Sequence, residues 1–200
     1  SPDESAATVL PGTFIGVSRR CRFSCFRGRG EGYASPMDPH RTYPPPESMM
    51  AGFADAVYRV YDGDRRIELR IGEANPAMAA VLARFGATHG GLVTGENPFG
   101  QQQTAEANAA ANAELAAAID ALGLPRLASD GGSEDGAWNE PGFLVIGGDG
   151  QPVDALARRF RQAAWVRIDA DGRAHLAGCD YPLASSGLAP CWPPQVLPGE

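Results

Sequence analysis

The sequence predicts an α/β domain of the mixed α+β kind, with about three helices packed on a single mixed β-sheet, spanning residues 56–178. Three observations carry this. Arg66 to Ile71 alternates strictly, with Ile67, Leu69 and Ile71 on one face and Arg66, Glu68 and Arg70 on the other, the pattern of a strand with one wet face. Met78, Val81, Leu82 and Phe85 recur at i, i+3, i+4 and i+7, which gives a helix one apolar stripe. Beyond that helix, short apolar runs and helical stretches take turns, as they do when helices cover a sheet.

In order, Val57 to Tyr61 forms a hairpin with the alternating strand around Asp62-Gly63-Asp64, whose glycine suits a tight turn. Asn75 caps the first helix, Pro76 fits its first turn and Gly86 its left-handed exit. Gly91 to Thr94 reads as a short apolar strand ending in Glu96-Asn97-Pro98-Phe99. A long alanine-rich helix runs from Thr104 to Leu122 and stops at Gly123 and Pro125. Pro125 to Ala128 adds a short strand, and Ser129 to Ala137 a loop. Phe143 to Ile146 is a buried strand, Pro152 to Phe160 a third helix with Val153, Leu156 and Phe160 inward. Ala164 to Ile168 and Arg173 to Leu176 close the domain as a hairpin around Asp171-Gly172. The order is ββαβα(β)βαββ, and its crossovers imply a partly parallel sheet.

The flanks read differently. Residues 1–50 hold five arginines and no acid between Arg19 and Arg29, then a proline run, without helix or strand periodicity. They are expected to be a disordered leader, either an organelle transit peptide or translated upstream sequence before a start at Met37, Met49 or Met50; the lack of amphipathic pattern favours the second. Residues 179–200, rich in Pro and Gly, are expected to be irregular.

Composition narrows the chemistry. A net charge of −7 disfavours a nucleic-acid partner, since such binders displace counterions with basic surface. No apolar run is long enough to span a membrane. Every one of the 17 basic residues is arginine, which removes Schiff-base and P-loop lysine chemistry. Cys21, Cys25, Cys179 and Cys191 lie outside the patterned region, and His40, His89 and His175 stand apart, so neither zinc nor any other cofactor is expected. A reducing cytoplasm is the expected compartment. No Ser-His-Asp order or Walker loop appears. Gly147-Gly148-Asp149-Gly150 joins a strand to a helix, but its acid would repel a phosphate, so it is read as a turn.

The informative residues are polar ones in apolar places. On the long helix, Asn108 and Asn112 continue the stripe of Leu115, Ile119 and Leu122. Asparagine is worse than alanine in a helix by roughly 0.6 kcal/mol. An unpaired buried amide costs about 1–3 kcal/mol more. Two readings satisfy them: bonds to the preceding Glu96-Asn97-Pro98 loop, or the floor of a polar pocket. Thr94, Glu96 and Asn97 sit past a strand end, where ligands gather in open α/β sheets, although Asn-Pro is also an ordinary turn element. Trp138 and Glu140 precede a buried strand. A carboxylate drawn inside there has a raised pKa and suits acid–base work, the alternative being a solvated edge glutamate. Gln162, between helix and strand, either lines the pocket or serves loop backbone.

These residues carry a resemblance. Thr94-Gly95-Glu96-Asn97-Pro98, Glu106-Ala107-Asn108 with Asn112 and Leu115, Trp138-Asn139-Glu140-Pro141-Gly142-Phe143-Leu144-Val145 and Phe160-Arg161-Gln162-Ala163 together resemble a bacterial domain family of unknown function, DUF3293. The similarity covers Tyr58 to Ile168. Gly95 stands where the family usually has alanine, and Arg161 where it usually has glycine. The resemblance implies no activity. Three functions remain open: a pocket for a small polar ligand (a nucleotide or metabolite) built from Thr94, Glu96, Asn97, Asn108, Asn112, Trp138, Glu140 and Gln162; a protein-interaction domain; or an enzyme using Glu140 or Glu96 as general acid or base.

Overall fold

The computed structural model describes residues 45–148 and 150–182, together with the backbone of Thr42–Tyr43. Nine strands and four helices occur among them: β1 (Thr42–Tyr43), α1 (Glu47–Asp55), β2 (Val57–Asp62), β3 (Arg65–Leu69), α2 (Pro76–Arg84), β4 (Gly90–Val93), α3 (Ala105–Ala121), β5 (Arg126–Gly132), β6 (Asn139–Ile146), α4 (Gln151–Arg159), β7 (Ala164–Ile168), β8 (Ala174–Gly178) and β9 (Tyr181–Pro182). The mixed α+β class holds, with one helix more than the periodicity suggests. No helix among the described residues is long and apolar enough to cross a membrane.

Seven strands form one sheet in the order β3-β2-β5-β6-β4-β7-β8. Each ladder in it is antiparallel, which corrects the partly parallel pairing expected from the crossovers. The crossovers set strand direction but not adjacency. The strands joined through α3 and through α4 do run the same way, but β6 separates β4 from β5, and β4 separates β6 from β7. The sheet curls until its two edges meet: Ile71, just past β3, makes a parallel bridge to Ala174 on β8, and the Gly72 amide donates to the Ala174 carbonyl at 2.8 Å.

Curling gives the sheet an inner and an outer face, and the helices divide between them. Helix α2 is set by its cap: the Asn75 side chain accepts from the Ala77 and Met78 amides, and Pro76 opens the first turn. Its Met78, Val81 and Leu82 are fully buried with Val60, Ile67, Leu69, Leu144, Ile146 and Ile168 in the inner core. Phe85, expected in that stripe, is instead exposed at the helix C-cap beneath Arg84. Helices α3 and α4 cover the outer face through Leu115, Ile119, Val153, Leu156 and Ala157, packed on Val93, Val145 and Trp165. Leu122 likewise falls at the C-cap of α3 and lies exposed rather than extending the stripe.

Strand β5 is the largest gain over the sequence reading. Ser129 to Gly132 reads as loop because of its small polar residues, yet these residues pair with β2 and β6 along their length. Their smallness answers to packing. A Cβ on Gly131 would come within 3.0 Å of the Tyr58 ring, and one on Gly132 within 2.3 Å of the Trp138 carbonyl.

The packed region also extends past both expected boundaries. Helix α1 crosses residue 50, and Met49 is fully buried in a third cluster with Ala163 and Tyr181. Beyond it, β9 pairs with β1, so Tyr181 and Pro182 are strand rather than irregular tail. Residues 1–41 and those from 183 onward, with Cys21, Cys25 and Cys191, lie outside the described residues. Met49→Ala is therefore expected to lower stability by about 2–4 kcal/mol in urea unfolding. An unchanged midpoint would place α1 outside the cooperative unit.

Candidate functional site

Four segments meet at one mouth of the curled sheet: the end of β4 with the loop after it, the start of α3, the start of β6, and the turn between α4 and β7. The loop after β4 is shaped by α3. Asn112 accepts from the Gly95 amide at 2.8 Å and donates to Glu96 Oε1 at 2.8 Å and the Pro141 carbonyl at 3.1 Å. One turn earlier, Asn108 accepts from the Asn97 amide at 3.1 Å and donates to Asn97 Oδ1 at 3.0 Å. Of the two readings of these asparagines, the geometry supports bonding to the loop. A Cβ on Gly95 would come within 2.8 Å of the Ala111 carbonyl oxygen, so glycine here lets the loop seat directly on the helix.

The loop in turn presents Asn97. Its backbone is left-handed, φ 47° and ψ 60°, a conformation asparagine tolerates better than most residues. Its Oδ1 accepts from the Gln103 amide at 2.9 Å as well as from Asn108. With the oxygen taken by two donors, the amide nitrogen can only face the other way, and it donates to Glu140 Oε1 at 2.6 Å. Thr94 ties the same loop to β6, donating to the Pro141 carbonyl at 2.6 Å and accepting from the Glu96 amide at 3.0 Å. Gln162 is buried and donates to the Glu96 and Phe160 carbonyls. The turn before it contains Arg161 at φ 55°, the left-handed conformation that glycine would take without strain. The Arg161 carbonyl accepts from the Phe99 amide at 2.7 Å, which joins this turn to the same loop.

Glu140 lies on the inner face, two and four residues before the positions of Gly142 and Leu144 on the same strand side. Its partner on β5 is Gly131, which also faces Tyr58 on β2. The Tyr58 ring packs directly over Gly131, with Glu140 beside that pair. Next to them lies a cavity of about 70 Å³ lined by Phe53, Tyr58, Leu92, Trp138, Val166 and Leu176, with Glu140, Asn97, Thr94, Ser129, Asp130 and Gln162 as its polar members. Withdrawal from water pushes the Glu140 carboxyl from 4.5 to about 7, against hydrogen bonds from Asn97 and the Trp138 side chain that pull it down; the charge on Glu96 adds a smaller upward push. Burial also raises Glu96, opposed by its bond from Asn112.

The eight residues singled out from sequence thus divide. Thr94, Asn97, Trp138, Glu140 and Gln162 line the cavity; Glu96, Asn108 and Asn112 hold the loop behind it. Asn108 belongs instead to a second, outer groove with Gln103, Arg159 and Arg161. Phe53, Tyr58, Ser129 and Gly131 were missed. The alternation of β2 marks Tyr58 as inward, but nothing local says that Ser129 and Gly131 lie in a strand opposite it. Among the described residues, no three His, Cys, Asp or Glu side chains converge to hold a metal ion.

Residues 93–165 match the family model described as a protein of unknown function, DUF3293. That stretch is similar to the DUF3293 family. It runs from the end of β4 through the start of β7, and so contains the loop, α3, β6 and the α4–β7 turn that build the cavity's polar side. No curated protein and no solved structure matches the chain.

Two outcomes follow. Asn112→Leu leaves the Gly95 amide without its acceptor and is expected to cost about 1–3 kcal/mol in chemical denaturation; wild-type stability would show that the loop does not need its tether. Glu140 makes stability depend on pH. Between pH 4.5 and 7 the folded chain keeps a proton that the unfolded chain releases, so this group's contribution falls as pH rises through that window. Glu140→Gln is therefore expected to be more stable than wild type above pH 7, by up to roughly 3 kcal/mol, with the gap closing toward pH 4.5. A gap that does not change with pH would contradict the shifted carboxyl.

Proposed function

We propose that the chain binds a small polar ligand in the cavity at the mouth of the curled sheet, with Glu140 as its central recognition group. The observation that carries this reading is the placement of Glu140: a carboxyl facing an aromatic-lined cavity, aimed by Asn97 and backed by a loop that four hydrogen bonds to α3 hold in place. Burying a carboxyl costs stability, and a chain under selection for packing alone would fill this cavity with an apolar side chain. A cavity of about 70 Å³ admits a group of a few heavy atoms, which favours a small metabolite over a whole nucleotide. A cytoplasmic setting accompanies this proposal, supported by the buried free thiol of Cys179.

A second reading rests on the same carboxyl. A group titrating near neutrality suits general acid–base catalysis, and Glu96, raised in the same sense, lies close enough to act on it. The two readings part on whether a bound compound is returned unchanged.

The test is a thermal-shift screen of the full chain against small metabolites, with Glu140→Gln alongside. A ligand at about 100 times its Kd stabilises by roughly 2.7 kcal/mol, a shift of several degrees. The expected result is a shift in wild type that Glu140→Gln reduces or abolishes. A library without effect on wild type would count against the binding site. Conversion of a hit, followed by NMR, would favour the enzyme; recovery of the hit intact would leave the binding module.

A further inference from the structure

Resting on the cavity reading above, we propose that its ligand is a small organic cation of the alkylammonium type, held with its positive charge between the Glu140 carboxylate and the aromatic side chains of Phe53, Tyr58 and Trp138. The charges around the cavity argue for this. Among the described residues no arginine or histidine lines it, and the chain has no lysine, so a phosphate or carboxylate ligand would meet no counter-charge from them. The carboxylate that faces it is Glu140; Asp130, also a lining residue, turns its side chain to the opposite face of β5. Asp130 is already neutralised: Arg59 binds it at 3.0 Å, and the Tyr61 hydroxyl donates to its other oxygen.

Glu140 has only neutral donors, Asn97 and Trp138. The other ionisable groups that act on it are Glu96, from the loop after β4, and the Tyr58 hydroxyl on β2, which donates to the Phe53 carbonyl. From β7 and β8 the lining is apolar, Val166 and Leu176. The site therefore holds a carboxylate in want of a cation, beside aromatic rings whose faces attract one. Volume sets the size: a cavity of about 70 Å³ holds an ammonium head with a few methyl groups.

Protonation is then coupled to binding. A cation prefers the ionised carboxylate, so it binds more tightly as pH rises and displaces a proton where Glu140 is still protonated. A neutral ligand accepting a hydrogen bond from the protonated acid would show the opposite slope.

The experiment is isothermal titration calorimetry of the full chain with three probes of one shape and different charge: choline, 3,3-dimethylbutan-1-ol and 3,3-dimethylbutanoate. Choline is expected to bind at least tenfold more tightly than the neutral alcohol at pH 8, and the anion not at all. The choline affinity is expected to drop roughly tenfold between pH 8 and pH 6, as the ionised fraction of a group titrating near 7 does. In Glu140→Gln, choline should lose its advantage over the alcohol, while circular dichroism confirms the fold. Equal binding of alcohol and choline, or an affinity that rises as pH falls, would overturn the cation and leave the cavity reading standing. No binding by any of the three at either pH would also overturn the cation, and the broader metabolite screen then decides the cavity reading separately.

Discussion

The two asparagines that α3 turns toward the loop after β4 are the constraint on which the candidate site rests. Each spends both ends of its amide on that loop and its neighbours. Asn112 fixes Gly95 and Glu96, and Asn108 fixes Asn97. The bonds run in sequence from helix to loop to sheet, because Asn97, once oriented by Asn108 and Gln103, has its nitrogen free for Glu140 alone. Chains of hydrogen bonds of this kind are costly to leave half made, so the cluster behaves as a unit. It accounts for a helix interior carrying two residues of poor helix propensity.

The sheet supplies the other half. Its curl brings α2 inside and leaves α3 and α4 outside, so both faces are packed with apolar side chains and the asparagines reach the loop from α3. The inner filling stops short of the mouth. There the inward positions on β5 and β6 are Ser129, Gly131, Glu140 and Gly142, small or charged where Leu144 and Ile146 are large. Gly142 is held small by the neighbouring backbone, since a Cβ would come within 2.5 Å of the Val93 carbonyl oxygen. Gly131 is held small by the Tyr58 ring. The cavity beside Tyr58 and Glu140 is thus flanked by tight packing. Helix α1 closes the side near Phe53, with Met49 anchoring it.

Much of this was legible in the sequence. The β2–β3 hairpin, α2 with its Asn75 cap, α3 and the β7–β8 hairpin all follow from period and punctuation, because each declares itself within a dozen residues. The inward pointing of Asn108 and Asn112 also followed from helical geometry. Strand β5 was cut short because small residues that serve a distant tyrosine look locally like a loop. Sheet adjacency was misread because a crossover fixes the direction of two strands and leaves open what lies between them. Helix α1 was lost in the proline-rich flank, where Met49 shows its role only against Ala163 and Tyr181. In the site, the loop-holding role of the asparagines and the inward turn of Glu140 were both among the alternatives that the sequence posed. The cavity itself was not, since it depends on Gly131 and Tyr58 meeting across two strands.

Glu140 sits at this cavity with no cation among the described residues to balance it, and its own titration tests that most directly. Carbon-13 NMR of the labelled glutamate carboxyls in the full chain, assigned with Glu140→Gln, would follow it. A midpoint near 7 is the predicted result. A midpoint at the ordinary 4.5 would mean that the carboxylate is solvated or already paired, and would contradict the account of the site.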